Sequence, residues 1–473
     1  MRKWTAFWVA AAAMVAGCSQ PKTVASVLES AQQTMGNPTS IRYAGTGTNG
    51  FVGQPLAAGG PWPQRPLTAY ARTIDYDKRA AREELTFAEA VFGGQQQNTQ
   101  VVGDRAWSVG PAGPVPQLGS AEERQLSIWM TPHGFLRGAA ASGSATLEAP
   151  EGSPTSTVTF TALDRYRLEG TIDANNLVTR VTTMVANPVL GDTMLAATYS
   201  DYKDFDGIKF PTRVAIEQGG SSAWELTIGE VEANPGLDLP IPPEVAAATV
   251  PPVQVTSVVL APGVWHLMGG SHHSVVVEFA DHIAIVEAPL NEARSVAVLA
   301  EARRLVPNKP VRFLLTTHHH FDHTGGLRTY AAEGVTIVTH ASNVPFFEQA
   351  LVAPATIAPD AQSTARKAPM FQPVSESFEL TDGKQRVVLY ANDGDAHTAE
   401  YTLIYVPGPR LLIEADAYSP AAPDAPAPAP PPPNAVKLAD EILRLKLNVS
   451  TIVPIHGRGA VPFAEFQKFV GRT

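Results

Sequence analysis

The stretch Thr317-His318-His319-His320-Phe321-Asp322-His323, followed by Thr324-Gly325-Gly326, decides what the C-terminal half of this chain can be. It gathers four of the twelve histidines of a 473-residue chain, together with one aspartate. Imidazole and carboxylate groups are common ligands of divalent metal ions. The stretch therefore predicts a metal site, and the spacing of its side chains suits two adjacent ions.

Three further candidate ligands lie downstream, each near the end of a predicted strand. His397 lies in a loop just before a strand, Asp416 follows a strand at 411–414, and His456 follows a strand at 451–453. The histidine stretch itself follows a predicted strand at 311–316. Strand ends gathered on one edge of a sandwich form a rim that suits a functional site. We therefore expect these side chains to meet the histidine stretch.

This set of residues resembles the metallo-β-lactamase superfamily from about residue 255 to 470. The H-x-H-x-D-H motif is specific, and a downstream His, Asp and His follow it in the expected order. The resemblance implies an α/β fold, an αββα sandwich of mixed sheets with helices outside. It also implies two zinc ions, with iron or manganese as other metals that this donor set accepts. One zinc ion would be held by His318, His320 and His397, the second by Asp322, His323 and His456, and Asp416 would bridge them.

The resemblance also implies a chemistry. Two close divalent ions lower the pKa of a shared water, so that a bridging hydroxide forms near neutral pH without a separate base. Asp322 is then the catalytic carboxylate, which orients the hydroxide or relays its proton to the leaving group.

The remaining histidines and neighbouring acids receive lesser roles. His319 lies between two predicted ligands and should point away from the metals. His272 and His273 precede a strand, and a structural role or a contact to a ligand is favoured over direct binding. His340 is expected to be structural. Acidic residues near strand ends could hold ligand imidazoles; these are Glu287, Asp395, Glu400 and Glu414.

The form T-H-H-H-x-D-H-x-G-G looks most like glyoxalase II and related thioester or ester hydrolases. Zinc β-lactamases have Cys or Ser in the region of Asp416, so this residue counts against a dedicated β-lactamase. We therefore predict hydrolysis of an ester, lactone or thioester in a small molecule. The net charge of −10 disfavours a nucleic-acid partner, which needs a basic surface.

Other functions stay open. One is a mononuclear iron oxidoreductase of the same fold, similar to a sulfur dioxygenase. Another is a β-lactamase-like amide hydrolase, and a third is a binding lipoprotein without catalysis.

The chain is long enough for two domains. A short helix is predicted at 21–36, and alternating strand patterns from 41 to about 232 indicate an antiparallel β-rich envelope accessory domain at 18–250. Its segment 199–211, YSDYKDFDGIKFP, resembles a strand–turn–strand of LolA-like half-barrels. A Pro-rich seam at 240–252 should resist both helix and strand and mark the boundary to a catalytic domain at 251–473. A second Pro-rich stretch, at 420–434, is predicted to be a solvated loop.

The N-terminus predicts export. Arg2 and Lys3 precede an apolar run of about a dozen residues, typical of a signal peptide at 1–17. Cys18, the one cysteine of the sequence, follows Val15-Ala16-Gly17 and resembles the lipidated residue of bacterial lipoproteins. We therefore expect a lipid anchor on Cys18 and a location in the cell envelope, at the periplasmic face of the outer membrane in a double-membrane bacterium. Without the lipid, the protein would be secreted or periplasmic.

Overall fold

The structure is a computed structural model that describes residues 22–91, 94–422 and 425–472. The strands of these residues form three sheets, of thirteen, seven and six strands. The predicted signal peptide at 1–17 and Cys18 lie outside the described residues. No helix within the described ranges is long and apolar enough to cross a membrane.

The first helix, α1 (Val24–Met35), confirms the helix predicted at 21–36. Thr23 caps it: its hydroxyl accepts from the backbone N–H of Ser26, and the Ser26 side chain accepts from the backbone N–H of Thr23. The helix ends at Gly36, where φ is +82° and a Cβ atom would lie 2.4 Å from Ile208 Cδ1. Glycine is required at this position, because it tolerates both the positive φ and the close approach.

The thirteen-stranded sheet confirms the predicted antiparallel region. Its order is β6-β5-β4-β3-β2-β1-β13-β12-β11-β10-β9-β8-β7, so the chain runs out from β1 in one direction and returns to pair β13 with β1. The predicted strand–turn–strand over 199–211 is confirmed by β11 and β12. The strands are β1 (Ser40–Gly50), β2 (Gln64–Asp75), β3 (Ala80–Val91), β4 (Gly94–Val102), β5 (Arg105–Gly110), β6 (Gly113–Pro116), β7 (Thr146–Glu148), β8 (Ser156–Ala162), β9 (Tyr166–Ile172), β10 (Val178–Asn187), β11 (Gly191–Phe205), β12 (Ile208–Gln218) and β13 (Ser221–Ala233).

Two helices inserted between β6 and β7 join α1 in the core of this region. They are α2 (Ala121–Trp129) and α3 (Pro132–Ala141), and Thr131 caps α3 by accepting from the N–H of Gly134. Phe135 of α3 packs with buried sheet residues such as Phe160, at a ring-centroid distance of 5.4 Å. Burial of alternate residues along strands such as β9 gives the sheet its apolar face.

The Pro-rich seam was predicted to contain no helix, and this is wrong at its centre. Residues Pro243–Ala246 form a short helix, α4. Pro243 is its first residue, a position where proline is tolerated because its missing N–H would have no partner within the helix. The next strand begins only at Thr256, so the rest of the seam separates the first sheet from the other two.

The C-terminal region alternates strands and helices. The seven-stranded sheet runs β14 to β20 in order, antiparallel as far as β17 and parallel from β17 to β20. Its elements are β14 (Thr256–Ala261), β15 (Val264–Met268), β16 (Ser274–Glu278), β17 (Ile283–Val286), α5 (Glu292–Leu305), β18 (Val311–Leu315), α6 (Phe321–Thr324), α7 (Leu327–Glu333), β19 (Thr336–His340), α8 (Val344–Val352), α9 (Ala361–Ala365) and β20 (Met370–Val374).

The six-stranded sheet runs β21 to β26 in order, and β24 and β25 are its parallel pair. Its elements are β21 (Ser377–Thr381), β22 (Arg386–Asp393), β23 (Glu400–Val406), β24 (Leu411–Glu414), α10 (Pro433–Arg444), β25 (Thr451–Pro454), β26 (Val461–Pro462) and α11 (Phe463–Phe469).

The two C-terminal sheets pack face to face with helices on both outer faces, which confirms the predicted αββα sandwich. Val275 and Val277 face the inner core between the sheets, whereas Val276 faces the outer core under α5, α7 and α8. This alternation follows from the two-residue period of a strand. On the other side, α10 and α11 cover the second sheet through residues such as Leu438 and Phe466.

The Pro-rich stretch at 420–434 was predicted to be a loop throughout, and this prediction is wrong for its last residues. Among the described residues it contains no helix or strand up to Pro432, and α10 begins at Pro433. The apolar face of α10, with Leu438 and Ile442 buried, outweighs the loop-forming composition at this boundary.

The buried imidazole of His133 predicts an acid-sensitive N-terminal region. Burial lowers the pKa of His133 from 6.5 to about 4, although its Nε2 donates to Met35 O. A folded-state pKa below the unfolded value means that protonation favours unfolding. Its stabilising contribution, up to about 3 kcal/mol, is present above pH 6.5 and is lost as the pH falls towards 4. Chemical denaturation of the wild type and His133→Gln between pH 7 and 4 should therefore show a shallower loss of stability in the variant. Parallel pH profiles would contradict this assignment.

Candidate metal centre

Two groups of potential metal ligands lie side by side at one rim of the sandwich. In each group, the donor atoms all lie within 4.8 Å of one another. Cluster A consists of His318, His320, His397 and Asp416. Cluster B consists of His272, Asp322, His323 and His456.

The Asp416 carboxylate joins the two clusters. Its Oδ2 lies 3.1 Å from the Nε2 atoms of His318 and His397 in cluster A. The same oxygen lies 2.9 Å from His323 Nε2, and Oδ1 lies 2.9 Å from His456 Nε2, both in cluster B. Asp416 also has φ of +63°, a conformation that is sparsely populated outside glycine and turns this residue out of the line of β24. One carboxylate thus faces donors of both clusters.

The charges in the centre depend on one another. Burial alone would raise the pKa of Asp416, but His323 and the other imidazoles around it hold this pKa well below its usual range. Burial alone would lower the pKa of His323, yet Asp416 and Glu287 raise it well above its usual range. The neighbouring imidazoles thus favour the charged form of the Asp416 carboxylate, at the place where cations would lie.

Glu287 fixes the orientation of His323. It follows β17, is fully buried, and accepts from His323 Nδ1 at 2.7 Å through Oε2. Its other oxygen, Oε1, accepts from the backbone N–H of Thr317 at 2.7 Å. Because Nδ1 is engaged in this way, Nε2 of His323 faces the cluster, the arrangement common for metal-binding histidines.

His272 and His456 are held together by backbone pairing. The two residues form an isolated antiparallel β-bridge, and their ring centroids lie 4.1 Å apart. His456 Nδ1 donates to Ser271 O at 3.1 Å, which leaves Nε2 facing His323 Nε2 at 3.2 Å. Two imidazole nitrogens that point at each other over this distance suit a shared cation.

The donor set of cluster A fits a divalent ion. His320 Nδ1 is buried and has no hydrogen-bond partner among the described residues. Burial and the neighbouring rings of His318 and His397 lower the pKa of His320 to about 2, so the imidazole is neutral. A neutral nitrogen with a free lone pair in the interior suits metal coordination. Imidazole and carboxylate donors without thiolate suit zinc in both clusters.

The structure brings together all seven residues that the sequence predicts as ligands, and the Asp416 carboxylate lies within 3.1 Å of imidazole nitrogens from both clusters. His319 has no donor atom in either cluster, in line with its expected orientation away from the metals, and its Nε2 donates to Pro55 O. Of the acids expected to hold ligand imidazoles, Glu287 does so. Glu414 instead accepts from the Tyr418 N–H, and Asp395 from the His397 N–H.

His272 is the residue that sequence reasoning placed differently. It was expected to be structural or to contact a ligand, but its Nε2 is one of the donor atoms of cluster B and lies 3.1 Å from Asp322 Oδ2. The adjacent His273 has the structural role, because its Nε2 donates to Gly457 O. The signal available for His272 was its position two residues before β16, at the same end of the sheet as the other predicted ligands.

Residues 267–456 match the family model described as the Metallo-beta-lactamase superfamily. Together with the sandwich and the ligand order, this match identifies the C-terminal region as a metallo-β-lactamase fold. No curated protein matches the sequence.

Several solved structures resemble part of this chain. A metallo-beta-lactamase from Pontibacter korlensis is 17% identical, with a TM-score of 0.36, over 46% of this chain and 98% of that chain. The metallo-beta-lactamase FIM-1 from Pseudomonas aeruginosa, solved in a mono-zinc form, is 16% identical with a TM-score of 0.35, over 46% and 93%. A metallo beta lactamase from Hirschia baltica is 17% identical with a TM-score of 0.33, over 46% and 96%.

The position of His272 generates a prediction about metal content. His272→Ala should weaken binding of one zinc ion per chain and leave the other bound, because cluster A keeps all its donors. Metal titration with a competing chelator measures this. The matched control is His282→Ala, since His282 precedes β17 at the end of the strand remote from the clusters. Retention of both ions at wild-type affinity in His272→Ala would remove His272 from the ligand set.

Proposed function

We propose that this protein is an exported metal-dependent hydrolase that uses two zinc ions to cleave an ester, lactone or thioester of a small molecule. The observation that supports it best is the pair of four-donor clusters joined by Asp416. When bound, two divalent ions would lower the pKa of a water molecule and polarise the carbonyl group of the substrate.

The protein side chains would position the reacting groups. His318, His320 and His397 would hold the ion in cluster A, whereas His272, Asp322, His323 and His456 would hold the ion in cluster B. Asp416 would bind between them and keep the two ions close.

Asp322 is the proposed proton carrier. Its side chain is about one-third exposed, 34%, more than that of any neighbouring ligand that it contacts. One oxygen lies 3.1 Å from His272 Nε2 and 3.8 Å from His323 Nε2, so this carboxylate borders both cluster B and solvent. From this position Asp322 can accept a proton from the attacking water and deliver it to the leaving group.

The hydrolase proposal is tested by metal analysis together with a substrate panel. The full chain should contain two zinc ions and should hydrolyse at least one ester, lactone or thioester. His320→Ala should lower kcat by more than about 100-fold, because loss of a metal ligand reduces metal binding and activity more than loss of a residue that only contacts a ligand. His282→Ala should retain activity. Two bound zinc ions without turnover of any of these substrates would contradict the reaction class, and a single iron ion with oxygen consumption would favour the oxidoreductase instead.

The proposal also places the enzyme at the cell envelope through Cys18. If this residue carries a lipid, the wild type should sediment with membranes. Cys18→Ser, which keeps the polar shape but removes the thiol, should move the protein to the soluble fraction. Equal membrane association of the two proteins, measured by fractionation and immunoblotting, would contradict the lipid anchor.

A further inference from the structure

The loop between β1 and β2 reaches from the thirteen-stranded sheet to the metal centre. We call residues 51–63 the docking loop. Its first half makes a row of hydrogen bonds to the segments that hold clusters A and B. Gly53 O accepts from Phe321 N at 3.0 Å, Gln54 Nε2 donates to Asp322 Oδ1 at 2.7 Å, Pro55 O accepts from His319 Nε2 at 2.9 Å and His320 Nε2 at 3.0 Å, and Leu56 O accepts from Ala399 N at 2.6 Å.

These contacts join two separate parts of the C-terminal domain. One part is the histidine stretch, with His320 and Asp322, and the other is the segment after His397. Four consecutive loop residues make one or more of these bonds, and each bond crosses between regions that are more than 260 residues apart in sequence. A surface loop that rested on its neighbour by chance would not satisfy so many polar groups in succession.

Gln54 holds one oxygen of Asp322 so that the other faces cluster B. The amide group of Gln54 donates to Oδ1, whereas Oδ2 lies 3.1 Å from His272 Nε2. A carboxylate that is fixed at one oxygen loses the freedom to rotate away from an ion at the other. Partners of this kind orient metal ligands and raise the affinity of the site.

The carbonyl group of Pro55 fixes the tautomer of His320. A carbonyl oxygen can only accept, so His320 Nε2 must carry the hydrogen. Nδ1 of the neutral ring is then the atom with a free lone pair, and it is the atom that is buried without a partner. The loop backbone therefore selects the nitrogen that His320 offers to cluster A.

Gly53 permits this close approach. Its φ is +73°, and a Cβ atom at this position would lie 2.5 Å from Phe321 Cγ. A larger residue would push the docking loop off the histidine stretch, and the contacts of Gln54 and Pro55 would be lost with it.

We propose that the docking loop is part of the metal centre, with Gln54 as a positioning residue for Asp322 and the Pro55 carbonyl as the group that sets the tautomer of His320. The affinity of the C-terminal domain for its ions then depends on the N-terminal region. This inference rests on the proposed function to the extent that both clusters bind divalent ions. It does not depend on which substrate is hydrolysed.

The first test measures zinc affinity of the full chain by competition with a chromogenic chelator. Gln54→Met keeps the length of the side chain and removes its donor. It should weaken zinc binding at cluster B by about 10- to 100-fold, the usual effect of losing a partner of a metal ligand, and leave cluster A near wild type. The matched control is Val52→Ala, an exposed position in the same loop. The melting temperature of the metal-free protein should be nearly unchanged in both variants.

The second test displaces the whole loop. Gly53→Ala should weaken zinc binding at both clusters, because Gln54 and the Pro55 carbonyl move together. Gly207→Ala is the matched control, since Gly207 also has a positive φ, +89°, but has no atom within 4 Å of an added Cβ. The control should lose stability through backbone strain without losing zinc affinity.

The outcomes separate this inference from the proposed function. Wild-type zinc affinity at both clusters in Gln54→Met and Gly53→Ala would overturn the role of the docking loop, even if the enzyme hydrolyses an ester. Conversely, weakened zinc binding in both variants would support the loop even if no substrate is hydrolysed.

Discussion

The contact of one carboxylate with four imidazoles is the interaction on which the metal centre depends. Asp416 lies 2.9–3.1 Å from nitrogens of His318, His323, His397 and His456, which come from three separate segments of the chain. Buried charge of this kind is stable only with opposite charge nearby. The centre therefore couples the segments electrostatically, and divalent ions would replace the protons that otherwise balance its carboxylates.

The sandwich brings these segments together because its parallel strands end at the same edge. β17 and β18 are parallel neighbours, so Glu287 and the histidine stretch emerge side by side. In the other sheet, β24 and β25 are parallel, so Asp416 and His456 emerge together. Apart from Glu414 at the end of β24, the buried residues of both strand pairs are apolar, and packing of the two sheets sets the distance between the two halves of the centre. The ligand positions are thus a consequence of strand direction and core packing.

The sequence predicted the parts of the molecule that depend on local pattern. The histidine stretch, the ligand order and most strands could be identified because motif spacing and two-residue alternation are local properties. The place of His272 in cluster B could not be identified from local pattern, because its approach to His456 depends on a β-bridge between residues far apart in the chain. The helices that begin at Pro243 and Pro433 could not be identified, because a Pro-rich composition is typical of loops. Proline is nevertheless tolerated at the first position of a helix. The contact of the docking loop with the metal centre could not be predicted either, because nothing in residues 51–63 resembles a metal-binding motif.

The docking loop changes how the two regions relate to each other. Linkage is reciprocal, so if docking of Gln54 and Pro55 raises the affinity for an ion, binding of that ion must stabilise docking to the same extent. The N-terminal region would then be more than an accessory domain fixed beside an independent enzyme. Its thirteen-stranded sheet holds both ends of the loop, through β1 and β2, and thereby limits the entropy that the loop loses on contact with Asp322 and His320. The sheet presents the short loop in a fixed position and so orients ligands that belong to the other domain. The geometry of the metal centre then depends on the fold of the N-terminal region.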